Sequence, residues 1–209
     1  MDARLIPNLL DVSLCLVALF ISVRSFDIYT RNRQFRLFIL GLSMALVSLS
    51  AAADFTSSYV RAIPLHTDWF LYIGQTVGFL LILLSLVQSS EKYLRGLMSL
   101  NIVVFALLLV LLLLSPVLPD IDIPTRTLFG FSRFIICMLV FLVYFSAYSH
   151  KPLRFSLFMS TAFFFFTVGY LVTLDQFTAP NLSQYLFRDL GDITSVIGLV
   201  VLVAAVSWD

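Results

Sequence analysis

The sequence predicts an all-α integral membrane protein: a single bundle of seven transmembrane helices over residues 1–209. Three observations carry that prediction. Seven apolar stretches of roughly 18–22 residues follow one another, each long enough as a helix to cross ~30 Å of hydrocarbon. Hydrophobic residues make up 60% of the chain and charged ones only 12%, a composition outside every soluble class. The cations, finally, gather in alternate connections between the stretches.

Taken in order, the first span is Ile6–Val23, an apolar run broken by Asn8, Asp11, Ser13 and Ser22, and the second is Phe35–Asp54, which opens after a basic connection. Trp69–Ser89 begins at an aromatic boundary residue and carries an amide, Gln75, in its outer half. Leu97–Leu118 is the most uniformly apolar, with Val103–Leu114 uninterrupted and Pro116 and Pro119 at its end. Thr127–Tyr148 contains Arg133, the one cation deep in a span. Phe155–Leu174 includes four consecutive phenylalanines, Phe163–Phe166, and Phe187–Ser207 carries Asp192 near its start. The connections are about a dozen residues at most, so no extramembrane domain is expected between spans. No cleavable signal peptide is expected at Met1–Arg4. The chain reads either as a complete small membrane protein or as the membrane portion of something longer.

Charge sets the expected orientation. Arg24, Arg31, Arg33 and Arg36 surround the first connection, Glu91, Lys92 and Arg95 mark the third, and Lys151 and Arg154 the fifth. Arg61, Arg126 and Arg188 mark the even connections, offset by Asp68, Asp120, Asp122 and Asp175. Positive charge stays cytoplasmic, so the N-terminus is expected outside and the C-terminus inside the cell membrane. Trp69, Tyr72, Tyr185 and Phe187 then lie near the outer boundary, and Tyr148 and Trp208 near the inner one.

The halves resemble each other. Cys15 and Cys137 superpose in spans one and five; Phe35-Arg36 matches Leu153-Arg154; Gly74-Gln75-Thr76 matches Gly191-Asp192-Ile193-Thr194. Two parallel three-helix repeats joined by the fourth helix are therefore expected, a layout used by transporters. Both cysteines are expected to be packing residues.

In helix count and three-one-three order the chain resembles the SWEET-type sugar transporters and, more loosely, the microbial rhodopsins. The resemblance stops at layout. The Pro-Gln pair of SWEET-type repeats does not occur, and the only lysines, Lys92 and Lys151, lie in connections, which excludes a retinal Schiff base.

Polar content in the outer half of the spans supplies the candidate ligand-binding residues: Asp11, Gln75, Arg133 and Asp192. Each lies five to seven residues inside its boundary, ~7–10 Å deep. Ionisable groups at such depth face a partner or water, and Asp11 and Asp192 are the expected counterions of Arg133. The layer fits either a site for a small polar ligand or ion, or a salt bridge locking helices one, five and seven. Close helix packing is expected at Gly74 and Gly78 in span three and at Gly191, Ser195 and Gly198 in span seven.

No catalytic residue, cofactor or metal site is expected. His66 and His150 sit in opposite connections, no Gly-x-Ser-x-Gly elbow occurs, and Leu190-Gly191-Asp192 lacks the first glycine of aspartyl intramembrane proteases. The expected function is a non-enzymatic, receptor-like sensory module; the alternatives are a small-solute transporter and an accessory subunit of a membrane complex. Expected partners are the bilayer, a small polar ligand or ion, and a cytoplasmic or membrane signalling partner, with no nucleic acid. The prolines favour the receptor reading, because all lie at span ends or in connections and none breaks a span at its centre.

Overall fold

The computed structural model describes the backbone of residues 5–59, 67–88, 90–178 and 184–207, and the side chains of 12–53, 55–56, 67–88, 90–174 and 190–207. Asp11, Asp54, Arg61, His66, Asp175, Tyr185, Phe187, Arg188 and Trp208 fall outside the described side chains.

All regular structure among the described residues is helical, with no strand. Seven helices are long and apolar enough to cross a membrane, the mark of a multi-pass membrane protein. They are α1 (Leu5–Asn32), α2 (Phe35–Tyr59), α3 (Asp68–Val87), α4 (Glu91–Leu113), α5 (Ile123–His150), α6 (Arg154–Thr178) and α7 (Gln184–Ser207), with a 3₁₀ turn at Ser115–Val117.

Most helices run past the apolar stretches that announce them. Arg24 and Arg31 belong to the end of α1, Arg36 opens α2, and Glu91, Lys92 and Arg95 lie in the first turns of α4 rather than in a loop. The charged ends stay helical because they satisfy one another on the helix surface. Asp27 takes Arg24 at 2.9 Å and Arg31 at 3.1 Å, and Glu91 takes Arg95 at 3.3 Å. The α1–α2 connection shrinks to Arg33 and Gln34, where Arg33 turns the chain with φ of 55°.

Six helices close a ring. Neighbours run α1–α2–α3–α5–α6–α7 and back to α1, while α4 packs outside against α2 and α3. The main core lies inside the ring, where Ile21, Met44, Phe79, Val140, Met159, Phe163 and Leu202 are almost fully buried. Two satellite clusters hold α4: Ile39, Leu81, Leu94 and Leu97, and separately Leu46, Phe70 and Leu108. Asn101 on α4, fully buried, adds an Nδ2–H···O bond of 3.4 Å to the Ile39 carbonyl. The opposite face of α4 is bare, with Leu100, Val103, Leu107 and Val110 all exposed, as a helix facing lipid requires.

The closest approach in the bundle joins α6 to α7. A Cβ on Gly169 would sit 2.9 Å from the Gly191 carbonyl oxygen and 2.8 Å from Ser195 Oγ. One on Gly191 would meet Thr173 Cγ2 and stand 3.0 Å from the Gly169 carbonyl, and one on Gly198 would be 3.0 Å from that of Ala162. Gly191, Ser195 and Gly198 thus form the α7 side of this seam. In α3, Gly78 lies over Ser43 of α2 at an ordinary 3.6 Å, and Gly74 has only Leu108 at 4.0 Å.

Candidate functional site

Arg133 is the centre of the polar layer. It lies about 15 Å along α5 from Ile123, yet only 7% of it is exposed. A cation at membrane depth costs ~2.5–3.5 kcal/mol at the centre unless it is compensated, so its surroundings decide its role.

Two helices supply the compensation. Gln75 of α3, about 10 Å from that helix's start, accepts a hydrogen bond from Arg133 Nη1 at 2.5 Å through its Oε1. The same oxygen accepts the Tyr170 hydroxyl of α6 at 3.3 Å. Arg133 Cζ lies over the Tyr72 ring at 4.6 Å and over the Tyr170 ring at 4.8 Å, so two aromatic faces converge on one guanidinium. Stacking of this kind is worth ~0.5–2 kcal/mol per ring, more when water is excluded. It also suits arginine in particular, whose delocalised cation is weakly hydrated.

Sequence spacing explains the convergence. Tyr72 and Gln75 are three residues apart on α3, hence on one face. Phe79, one turn further, packs edge-on to Tyr170 at 5.9 Å and to Phe163 at 6.2 Å, which fixes α6 against α3 below the polar groups. Cys137, one turn below Arg133, is completely buried in the core, and both cysteines are free. Cys15 stands 3.5 Å from Ser48 Oγ on α2.

One group in the site is unmatched. Arg133 Nε is buried and has no hydrogen-bond partner among the described residues. Buried donors are nearly always paired, so such an orphan calls for a reason.

Of the four residues expected to form the layer, Gln75 and Arg133 bond directly. Asp192, half-buried on α7, is close enough to act electrostatically on Tyr170. The Asp11 side chain lies outside the described residues. Among the described residues the immediate partners of Arg133 are an amide and two tyrosines, where the sequence leads one to expect the carboxylates of Asp11 and Asp192. Tyr170 was missed altogether, although one signal existed: it is a tyrosine inside a span, at the depth of Gln75, not at a boundary.

A separate tie joins the ends of α3 and α5 beyond this layer. Arg126 pairs with Asp68 at 2.5 Å, and Trp69 donates its indole N–H to the Pro119 carbonyl at 2.7 Å. Both members of the ion pair are about a third exposed, so it is worth at most ~1 kcal/mol. It braces the end of the bundle nearest Arg133.

The chain matches no protein-family model, no curated protein and no solved structure. The site is therefore read from its own chemistry. An apolar surface groove of about 390 Å³ between α1 and α7, lined by Leu16, Val17, Phe20, Val200 and Val203, has no part in it. Among the described residues no three of His, Cys, Asp and Glu cluster as metal ligands would. What the arrangement offers is a buried, aromatic-lined cation with a hydrogen-bond donor to spare.

Proposed function

We propose that this chain is a non-enzymatic, receptor-like seven-helix module that senses a small polar ligand or ion at the Arg133 site. The observation that carries the reading is the buried guanidinium with an unmatched Nε. An ionisable side chain kept at membrane depth marks function by default. A spare donor on it is what a ligand would use.

The proposed orientation puts the N-terminus outside and the C-terminus in the cytoplasm of the cell membrane. Eight of the thirteen Lys and Arg residues support it, gathered where α1, α3 and α5 end, opposite the Arg133 layer. The site then lies toward the outer end of the bundle, and output passes through the cytoplasmic ends of the helices to a signalling partner. Single cysteines placed at Arg33 or Lys151, after removal of Cys15 and Cys137, are expected to react with impermeant maleimide only from the cytoplasmic side. Labelling of either from outside reverses the topology.

Solute transport is the second reading, and the helix ring favours it. Exchanging α1–α2–α3 with α5–α6–α7 maps every neighbour pair of the ring onto another, as two parallel repeats would. Weighing against it, each described helix is continuous across its apolar stretch, without the midplane break that transport sites use. The bare face of α4 leaves room for the third reading, a subunit docked in a larger complex.

Purified protein in nanodiscs should be thermally stabilised, saturably, by at least one solute in a broad panel of sugars, amino acids, organic anions and inorganic salts. Gln75→Leu, which removes the amide that orients Arg133, is expected to weaken that effect. A panel that gives no stabilisation defeats the receptor reading. Accumulation of the stabilising solute inside proteoliposomes would convert it to the transporter reading.

A further inference from the structure

The donor geometry of Arg133 narrows the ligand. All five N–H groups of a guanidinium lie in its plane, so any hydrogen-bonding partner must approach edge-on. Nη1 is already committed to Gln75 Oε1. The unmatched Nε belongs to the other edge, where its N–H runs parallel to one on Nη2. That pair of parallel donors matches the two oxygens of one carboxylate and is the fork through which arginine takes carboxylates in bidentate fashion.

Two further features bear on charge. Arg133 contributes one positive charge, and the Tyr72 and Tyr170 rings that flank it are uncharged. A monoanion matches that single charge, whereas a dianion brings a surplus, and with the Asp192 carboxylate already within electrostatic range of Tyr170 added negative charge at this buried position is the more costly. A spherical halide can bridge both donors only through bent bonds and gains less from the parallel pair than two oxygens set one to each donor.

We propose that Arg133 binds the carboxylate group of a small organic monoanion through its Nε/Nη2 edge, with Gln75 and the two tyrosines holding the guanidinium in position. The proposal rests on the reading of this site as a ligand site and specifies the ligand class. Arg133 and Gln75 are the groups to test, because one makes the contact and the other orients it.

The experiment uses the full chain in nanodiscs, titrated with sodium acetate, lactate and benzoate, and in parallel with sodium chloride and sodium phosphate at matched ionic strength. Thermal unfolding and calorimetric binding are read for each. At least one of the carboxylates is expected to bind saturably and raise the unfolding temperature, with chloride and phosphate at least about tenfold weaker. Arg133→Lys keeps the charge but loses the fork, and should weaken carboxylate binding at least about tenfold. Gln75→Glu places a fixed carboxylate against Arg133, should leave the fold intact, and is expected to abolish the response by neutralising the cation from within.

Equal stabilisation by phosphate or chloride overturns the carboxylate assignment while leaving a ligand site in place. So does unaltered carboxylate binding in Arg133→Lys or Gln75→Glu, which would put the binding elsewhere. No response to any of the three carboxylates overturns it too, and the broad solute panel then decides separately whether the site binds anything.

Discussion

Arg133→Met is expected to leave the protein within about 1 kcal/mol of its parent stability, whereas Arg133→Ala should lose about 2–3 kcal/mol. The polar terms at this position cancel at the low end of their ranges. Removing the guanidinium forfeits two ring contacts of ~0.5–2 kcal/mol each and a charge-assisted hydrogen bond of ~1.5–3. It also lifts the cost of a cation at depth, up to ~2.5–3.5 kcal/mol. The group stranded on the Nη1 side is a neutral amide oxygen, which keeps the Tyr170 hydroxyl at 3.3 Å. Shape then decides. Methionine fills most of the space between Tyr72 and Tyr170, while alanine leaves a hole whose lining cannot fully collapse.

The comparison separates the two meanings of the site. An arginine that can be replaced by methionine at no cost is not holding the bundle together, and its retention at depth calls for a ligand. Should Arg133→Met fall as far as Arg133→Ala, by ~3 kcal/mol or more, the guanidinium is a structural lock and the receptor reading loses its site. Unfolding followed by Trp69 and Trp208 fluorescence in detergent measures both variants. Gln75→Leu in each background gives the coupling between the pair, expected at about 1–2 kcal/mol.

What was legible beforehand followed from one rule, that lipid offers no hydrogen bonds. It made all seven helices visible as apolar runs, from α1 to α7. It also pointed to Gln75 and Arg133 as residues needing company at one depth, and these two do bond. Helix ends were not legible in the same way. Hydropathy marks where the apolar run stops, but Arg24, Asp27 and Arg31 carry α1 on by pairing among themselves. Nor did hydropathy say which helices are neighbours. The fourth helix, with the highest mean hydropathy at 2.7, stands outside the ring. In hindsight its uniformity is the clue, since a helix wetted by lipid on most sides needs no polar or small face. Tyr170 was hidden for a different reason: a tyrosine among phenylalanines reads as packing until its hydroxyl has an acceptor.

Gly169→Ala should be the most damaging methyl group that can be added to this chain, costing about 2–3 kcal/mol or preventing folding. The sequence drew attention to Gly74 and Gly78 by their spacing, yet their surroundings have room: a Cβ at Gly74 would find only Leu108, at 4.0 Å. At Gly169 the new carbon would stand 2.9 Å from a backbone carbonyl of α7, and a carbonyl cannot rotate away as a side chain can. Relief requires α6 and α7 to separate along the seam where Gly191, Ser195 and Gly198 now lie close. Separation there would also loosen the register of Tyr170, next in sequence to Gly169, against Gln75. The effect should therefore reach the polar layer as well as stability. Two controls isolate the cause. Gly96→Ala, on α4 with nothing within 4 Å, should be neutral or stabilising by up to about 1 kcal/mol, as for a helical glycine in open surroundings. Gly74→Ala should fall within about 0.5 kcal/mol of the parent. Thermal unfolding of the three variants side by side tests the order. If Gly169→Ala unfolds with Gly96→Ala rather than far below it, the α6–α7 helices do not approach each other as closely as described.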